Sequence, residues 1–278
     1  MKSEIKAYAK INLFLDITGR LDNGYHTLNT VMQQIDLYDT VTVEISEGDG
    51  IYITCDDPII PCNEKNIAHK AAAAFMAETG KAARIDIDIK KNIPSEAGMG
   101  GSSTDGAAVL KALNQLYGSI FTTPQLCAMG AGLGADVPFC IQGKTAVCKG
   151  IGEVMTPVCC KNDYVIAVVK PDFSCSTPTG FRTYDEKPVA VNPHFDTFVN
   201  MLSEGADKWA GCMYNIFEVL YNNPDIEKIK ASMQKSNALG TILTGSGSAV
   251  FGIFTDRNTA ENAVKNIDAP FKIITNAI

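Results

Sequence analysis

Residues 5–17, IKAYAKINLFLDI, alternate without interruption, and no other stretch restricts the fold of this chain so tightly. Ile5, Ala7, Ala9, Ile11, Leu13, Leu15 and Ile17 fall on one side, and Lys6, Tyr8, Lys10, Asn12, Phe14 and Asp16 on the other. A period of two is that of a β-strand, so the first set faces a core and the second set does not. Lys10 and Asn12 stand next to one another on that opposite face. The segment TGRLDNGYHT that follows reads as a turn, tightest at Asn23-Gly24.

A second signal lies downstream. Ile85, Ile87 and Ile89 alternate with Asp86 and Asp88, a half-buried strand, while Ala108, Val109, Ala112, Leu113 and Leu116 recur at helical spacing. Between them runs PSEAGMGGSSTDGAA, beginning at Pro94. Strand, glycine-rich loop and helix start, in that order, make a place where backbone N–H groups converge on an anion. Gly98, Gly100 and Gly101 permit close approach of the main chain. Ser102, Ser103 and Thr104 add hydroxyls where the helix dipole favours phosphate. The stretch Pro94, Ser95, Glu96, Ala97, Gly98, Met99, Gly100, Gly101, Ser102, Ser103 and Thr104 is therefore read as a phosphate cradle rather than a plain connection.

Two decoys are set aside. Gly143-Lys144-Thr145 lacks the glycine five residues earlier that a P-loop requires, since Pro138 stands there. Gly130-Ala-Gly132-Leu-Gly-Ala135 fits a dinucleotide string but follows a helix rather than a strand.

Along the rest of the chain, strands are expected at 41–46 and 51–54, and a helix at 66–79 closed by Gly80. Thr123-Pro124 reads as N-cap and N1 of another helix. TAVCKG and YVIAVVK read as strands, and helical patterns follow at 195–203 and 213–221. ALGTILTGSGSAVFGIF reads as strand, turn and strand, Arg257 to Ile267 as a helix and FKIIT as a last strand. The class is α+β in two lobes, one over 1–155 and one over 156–278.

With 46% hydrophobic and 20% charged residues, the 278-residue chain buries a core. A net charge of −7 argues against a nucleic-acid or anionic-membrane surface. Nine cysteines, without a C-x-x-C pair, read as free thiols in a reducing compartment. Charges at Lys2, Glu4, Lys6, Lys10 and Asp16 rule out a signal peptide or membrane span in the first residues, so a cytoplasmic location is expected.

In order, AYAKINLFLDITGRLDNGYHTLNTVMQQIDLYD, PSEAGMGGSSTDGAA, GLGADVPFC with GIGEVMTP, and LTGSGSAVFGIF resemble successive signatures of the GHMP small-molecule kinases, and the likeness spans nearly the whole chain. Tyr8 stands where that family often has Pro, Gly100-Gly101-Ser102-Ser103-Thr104 replaces three glycines and two serines, and Asn215-Ile216 replaces an Asn-Asp pair. The resemblance implies the two-lobed GHMP kinase fold, with sites between its lobes. It implies ATP, with Mg²⁺, as the phosphoryl donor and the 2-hydroxyl of a cytidine-diphosphate-linked sugar alcohol as acceptor. No Mg²⁺ ligand is assigned beyond a Ser or Thr of the loop. The protein would be a monomer or homodimer.

The resemblance also distributes roles. Asp136, in GADVPF, which alone reads as a turn cap, matches the catalytic carboxylate that receives the acceptor's proton. Lys10, which alone reads as a solvated lysine, matches the cation paired with it, and Asn12 a hydrogen-bonding partner of the acceptor. Tyr25 and His26 match a pair that stacks on and hydrogen-bonds cytosine, and Phe181 an aromatic on its far face. The turn TGSGSAV at 244–250 is either a plain hairpin or a wall of the phosphate site. Homoserine or a mevalonate-type alcohol as substrate, and a non-catalytic nucleotide-binding regulator, are the alternatives.

Overall fold

A computed structural model describes residues 1–278. The alternating segment forms β1 (Lys2–Arg20), longer at both ends than its strict alternation, and β2 (His26–Ser46) lies beside it. The turn between them is held by Asn23, whose Oδ1 accepts the Tyr25 amide at 3.1 Å. Gly24 sits at φ +87°, a conformation that costs glycine little. The chain continues through β3 (Ile51–Cys55), α1 (Ile67–Thr79), β4 (Arg84–Lys90), α2 (Gly101–Leu116), α3 (Thr123–Ala131) and α4 (Val137–Gln142). Next come β5 (Thr145–Lys149), β6 (Val154–Pro157), β7 (Val165–Lys170), α5 (Thr177–Glu186), α6 (Phe195–Met201) and α7 (Ala206–Trp209). The last elements are β8 (Tyr214–Asn215), α8 (Ile216–Tyr221), α9 (Pro224–Lys235), β9 (Gly240–Leu243), β10 (Val250–Phe254), α10 (Arg257–Lys265) and β11 (Phe271–Asn276). No helix is long and apolar enough to cross a membrane.

These elements gather into two compact units. One comprises Met1–Ala9, Leu37–Ile93 and Gly100–Gly143, the other Lys10–Asp36, Pro94–Met99 and Lys144–Ile278. The division differs from the single cut near residue 156 that the sequence suggests. The reason is the length of β1 and β2, each of which gives one part to each unit.

In the first unit the strand order is β3-β4-β2-β1, with β4 antiparallel to β2 and parallel to β3. Ile85, Ile87 and Ile89 are buried, as their alternation requires, and α1 and α2 bury Ala68, Ala72, Phe75, Val109 and Leu113. The α1 ends are as expected, with the Asn66 side chain accepting the Ala68 amide and Gly80 left-handed at φ +63°. The cap of α3 is Thr122 rather than Thr123, because Gln125 reaches back to the Thr122 amide at 2.9 Å and completes a capping box.

In the second unit β5 pairs with β2 and β6, and β8 joins β1 in parallel at Phe14↔Tyr214. A separate antiparallel sheet has the order β11-β7-β10-β9. Ala167, Val169, Phe217, Leu243, Val250 and Phe254 form part of its core with Leu15 and Ile17 of β1.

The expectation of a single core face on β1 is corrected here. Lys10, Asn12, Phe14 and Asp16 are all buried, none more than 4% exposed. Phe14 carries the rings of Phe195, Phe198 and Tyr214 at 5.2, 5.3 and 5.4 Å, so in this unit the opposite face is covered as well. Asp16 is satisfied by the amides of Ile17 and Asn192, at 2.9 and 2.7 Å, while burial pushes its carboxyl up. Alternation of chemistry along a strand reports which residues differ, and it cannot report what a distant segment lays over them.

Candidate active site

Lys10 is not a solvated lysine. Its Nζ donates to Asn12 Oδ1 at 2.8 Å, and both residues sit inside the second unit. Asn12 Oδ1 also accepts the Gly245 amide at 3.1 Å, and its Nδ2 donates to Thr30 Oγ1 at 2.9 Å. Its own amide donates to Thr244 Oγ1 at 3.1 Å. Asn12 thus ties Lys10 to the turn at 244–250, which is a scaffold for the two residues rather than a plain hairpin. Asn215 braces that turn from another side, donating to the carbonyls of Leu243 and Gly245 at 2.7 and 2.9 Å while capping α8.

The glycine-rich loop leans on the same turn. Ser248 and Ala249 amides donate to the carbonyls of Glu96 and Ala97 at 3.3 and 3.2 Å, and Lys10 N donates to Met99 O at 3.1 Å. A Cβ on Gly98 would lie 2.1 Å from Thr244 O, so this glycine serves the packing of loop on turn. Glu96, Gly98 and Gly100 are left-handed at φ +53°, +74° and +73°, alternate residues that bend the main chain as an anion-binding concavity requires. Ser95 Oγ is buried with no partner, an orphaned hydroxyl that a phosphate oxygen would satisfy. These features fit a nucleotide phosphate.

At the start of α2 the three hydroxyls have different fates. Thr104 donates to Tyr8 O at 2.8 Å and is buried, which fixes the helix to β1 within the first unit. Ser102 is exposed and Ser103 half-buried, so these two are suited to meet a phosphate or its metal. Asp105, one position further, is a buried carboxylate that the sequence reading passed over. Lys91 Nζ lies between Asp105 Oδ2, at 2.7 Å, and Asp39 Oδ2. Asp39 Oδ1 takes the amides of Asn92 and Ile93 at 2.6 and 2.8 Å, whereas Asp105 Oδ1 has no partner. Burial is the main cause that pushes the Asp105 carboxyl up, to about 7. Lys91 lies higher than usual because both carboxylates offset its own burial.

Asp136 occupies the N-cap position of α4, but its side chain makes no capping bond. The turn that carries it lies along the start of α2, since a Cβ on Gly134 would stand 3.9 Å from Ser103 Oγ. Asp136 and residues 100–104 therefore belong to the first unit, and Lys10, Asn12 and residues 94–99 to the second.

The remaining predicted residues cluster in the second unit. The His26 ring stacks on Phe181 with centroids 4.8 Å apart and planes 18° from parallel, and it meets the edge of Tyr184 at 5.9 Å. Its Nε2 lies 2.7 Å from Asp185 Oδ1, and Arg20 Nη1 lies 3.3 Å from Asp185 Oδ2. Phe181, Tyr184 and Asp185 are at i, i+3 and i+4 of α5, the spacing of one helical face. The hydrogen bond from His26, with help from Arg20, holds the Asp185 carboxyl below the usual range. Tyr25 is 58% exposed and stands outside this stack. Sequence reasoning named His26 and Phe181 but missed α5 as a helix, and with it Asp185.

Residues 66–144 match the GHMP kinases N terminal domain, and residues 190–273 the GHMP kinases C terminal domain. The 4-diphosphocytidyl-2-C-methyl-D-erythritol kinase of Caldicellulosiruptor saccharolyticus is 40% identical over 273 residues, 97% of this chain and 94% of that protein. A crystal structure of 4-(cytidine 5'-diphospho)-2C-methyl-D-erythritol kinase is similar with a TM-score of 0.84 and 28% identity, covering 99% of both chains. The homoserine kinase of Cytophaga hutchinsonii, 18% identical with a TM-score of 0.80 over 99% of this chain and 95% of that one, shares the fold. With both domains matched in order and a relative this similar from end to end, the chain belongs to the GHMP kinases.

Proposed function

We propose that this protein transfers the γ-phosphoryl group of ATP to the 2-hydroxyl of 4-diphosphocytidyl-2-C-methyl-D-erythritol, a step of the non-mevalonate route to isoprenoid precursors, in the cytoplasm. The observation that carries this reading is the extent of the likeness: a protein named for that activity is 40% identical across 97% of this chain.

The roles follow from the chemistry. Asp136 accepts the proton of the attacking hydroxyl, a task for a carboxylate whose oxygens are not spent on capping a helix. Lys10, locked by Asn12, places a fixed positive charge at the reacting centre, where a preorganised charge costs no reorganisation during transfer. Residues Pro94–Thr104 hold the phosphates of ATP, with Ser95 and Ser103 supplying hydroxyls. Mg²⁺ bound with ATP would neutralise phosphate charge, and Ser102 or Ser103 would be its protein neighbours, since Thr104 is engaged by Tyr8. His26, with Tyr25 and Phe181, recognises the cytosine ring.

The test is ATP turnover against the cytidine-linked alcohol, homoserine and mevalonate in parallel. Turnover of the first alone is expected. Turnover of either other alcohol instead would move the protein elsewhere in the superfamily, and no turnover of any would favour a binding-only protein.

A further inference from the structure

Nothing so far explains why an aspartate and an arginine should be assembled behind the ring of His26. The imidazole is gripped by one face of α5. Phe181 stacks on its plane, Tyr184 meets it edge-on, and Asp185 Oδ1 takes its Nε2 at 2.7 Å. Arg20 in turn holds the other oxygen of Asp185 at 3.3 Å. The side chain is 6% exposed, so its orientation is set by these neighbours rather than by solvent.

The hydrogen bond carries chemical information. A carboxylate only accepts, so the nitrogen facing Asp185 must bear a proton. In a neutral imidazole one nitrogen donates and the other accepts. With Nε2 fixed as the donor, Nδ1 of the neutral ring is left as a lone-pair acceptor. The pyrimidines differ at the corresponding edge: cytosine presents an exocyclic amine, a donor, where uracil presents a carbonyl, an acceptor. An accepting Nδ1 pairs with the first and opposes the second.

We propose that Asp185 is a positioning residue that fixes the tautomer of His26 and thereby selects an amino-pyrimidine over an oxo-pyrimidine. Asp185 touches no reacting atom and acts through His26. Arg20 supports it by holding the carboxylate in place. The inference rests on the reading that the substrate carries cytosine.

The experiment has a spectroscopic arm and a kinetic arm. Nitrogen-15 shifts of the imidazole in the ligand-free protein report which nitrogen bears the proton, and with three histidines in the chain the His26 signals are assigned by their loss in His26→Gln. Wild type is expected to show a protonated Nε2 and a bare Nδ1. Asp185→Asn, whose amide can either donate or accept, is expected to give a mixture of tautomers. In the kinetic arm, the ratio of kcat/KM for the cytidine-linked over the uridine-linked alcohol is expected to fall about tenfold in Asp185→Asn, the scale of one mismatched hydrogen bond. The loss should fall mainly on KM. Asp185→Glu, which restores the carboxylate, is expected to recover much of the ratio, which a purely structural role would not require.

An unchanged tautomer in Asp185→Asn, or a changed tautomer with an unchanged ratio, overturns the role of Asp185. If wild type ignores the cytidine-linked alcohol and phosphorylates homoserine or mevalonate, the substrate reading fails and the base-selecting role falls with it. The two failures are distinguished by the wild-type assay.

Discussion

Gly98 and Thr244 are separated by less space than a side chain needs: a Cβ on Gly98 would lie 2.1 Å from the Thr244 carbonyl oxygen. The glycine is also left-handed at φ +74°. Gly98→Ala is therefore expected to destabilise the protein by about 2–4 kcal/mol, through backbone strain and a forced shift of loop from turn. Urea denaturation measures the loss. A variant as stable as wild type would show that loop and turn do not interlock as described.

Asp136→Asn is expected to lower kcat on the order of 10²–10⁴-fold, because the amide cannot accept the proton of the acceptor hydroxyl. Binding of ATP analogues by calorimetry should change little. Near-normal turnover would assign Asp136 a structural role and send the search for the base elsewhere.

Lys10→Met is expected to cost on the order of 10²-fold in kcat, as removal of a single preorganised electrostatic group does. The protein should stay folded, because Met fills the buried site without a charge to desolvate and Asn12 Oδ1 keeps the Gly245 amide as a partner. Activity and thermal melting on the same preparation separate the outcomes. A large fall in melting temperature with full specific activity would make Lys10 a structural residue.

The buried cluster at the start of α2 makes a pH prediction. Asp105 holds its proton up to about pH 7 in the folded protein, against an ordinary value of 3.8. The folded state binds the extra proton between those values, so this contribution to stability is complete below the lower value and is lost as pH rises through the higher. Asp105→Asn cannot titrate. Its unfolding free energy is expected to decline less between about pH 5 and pH 8 than that of wild type. Denaturation curves across that range decide the matter, and parallel profiles would mean that Asp105 ionises normally.

Much of this architecture was legible in the sequence. The strand at 85–89, α1 with its Asn66 and Gly80 ends, and the strand pair around 244–250 follow from periodicity and capping residues whose partners are near in the chain. What was not legible depends on distant partners. Asn12 is engaged by a turn more than 230 residues away, and Lys10 is tied to that turn through it, which no local pattern announces. α5 escaped because Pro178 and Gly180 obscure a face that becomes meaningful only when His26 lies on it. Asp105 escaped because a charged residue near a helix start reads as a favourable surface charge until Lys91 and Asp39 are seen to enclose it.

The discontinuous units set a timetable for synthesis. By the time residue 143 has left the ribosome, every segment of the first unit exists, whereas segments 10–36 and 94–99 have been made without the remainder of their unit, residues 144–278. Leu15 and Ile17, destined for near-complete burial, must wait for a core whose β9 and β10 members end at Phe254. At ordinary translation rates that interval is on the order of ten seconds, long compared with hydrophobic collapse. The nascent protein thus passes through a stage in which one unit is complete and the other presents an uncovered apolar strand. A chain that stops before β10 keeps that strand exposed, and release from the ribosome at that length yields material for chaperones or proteases rather than a smaller working kinase.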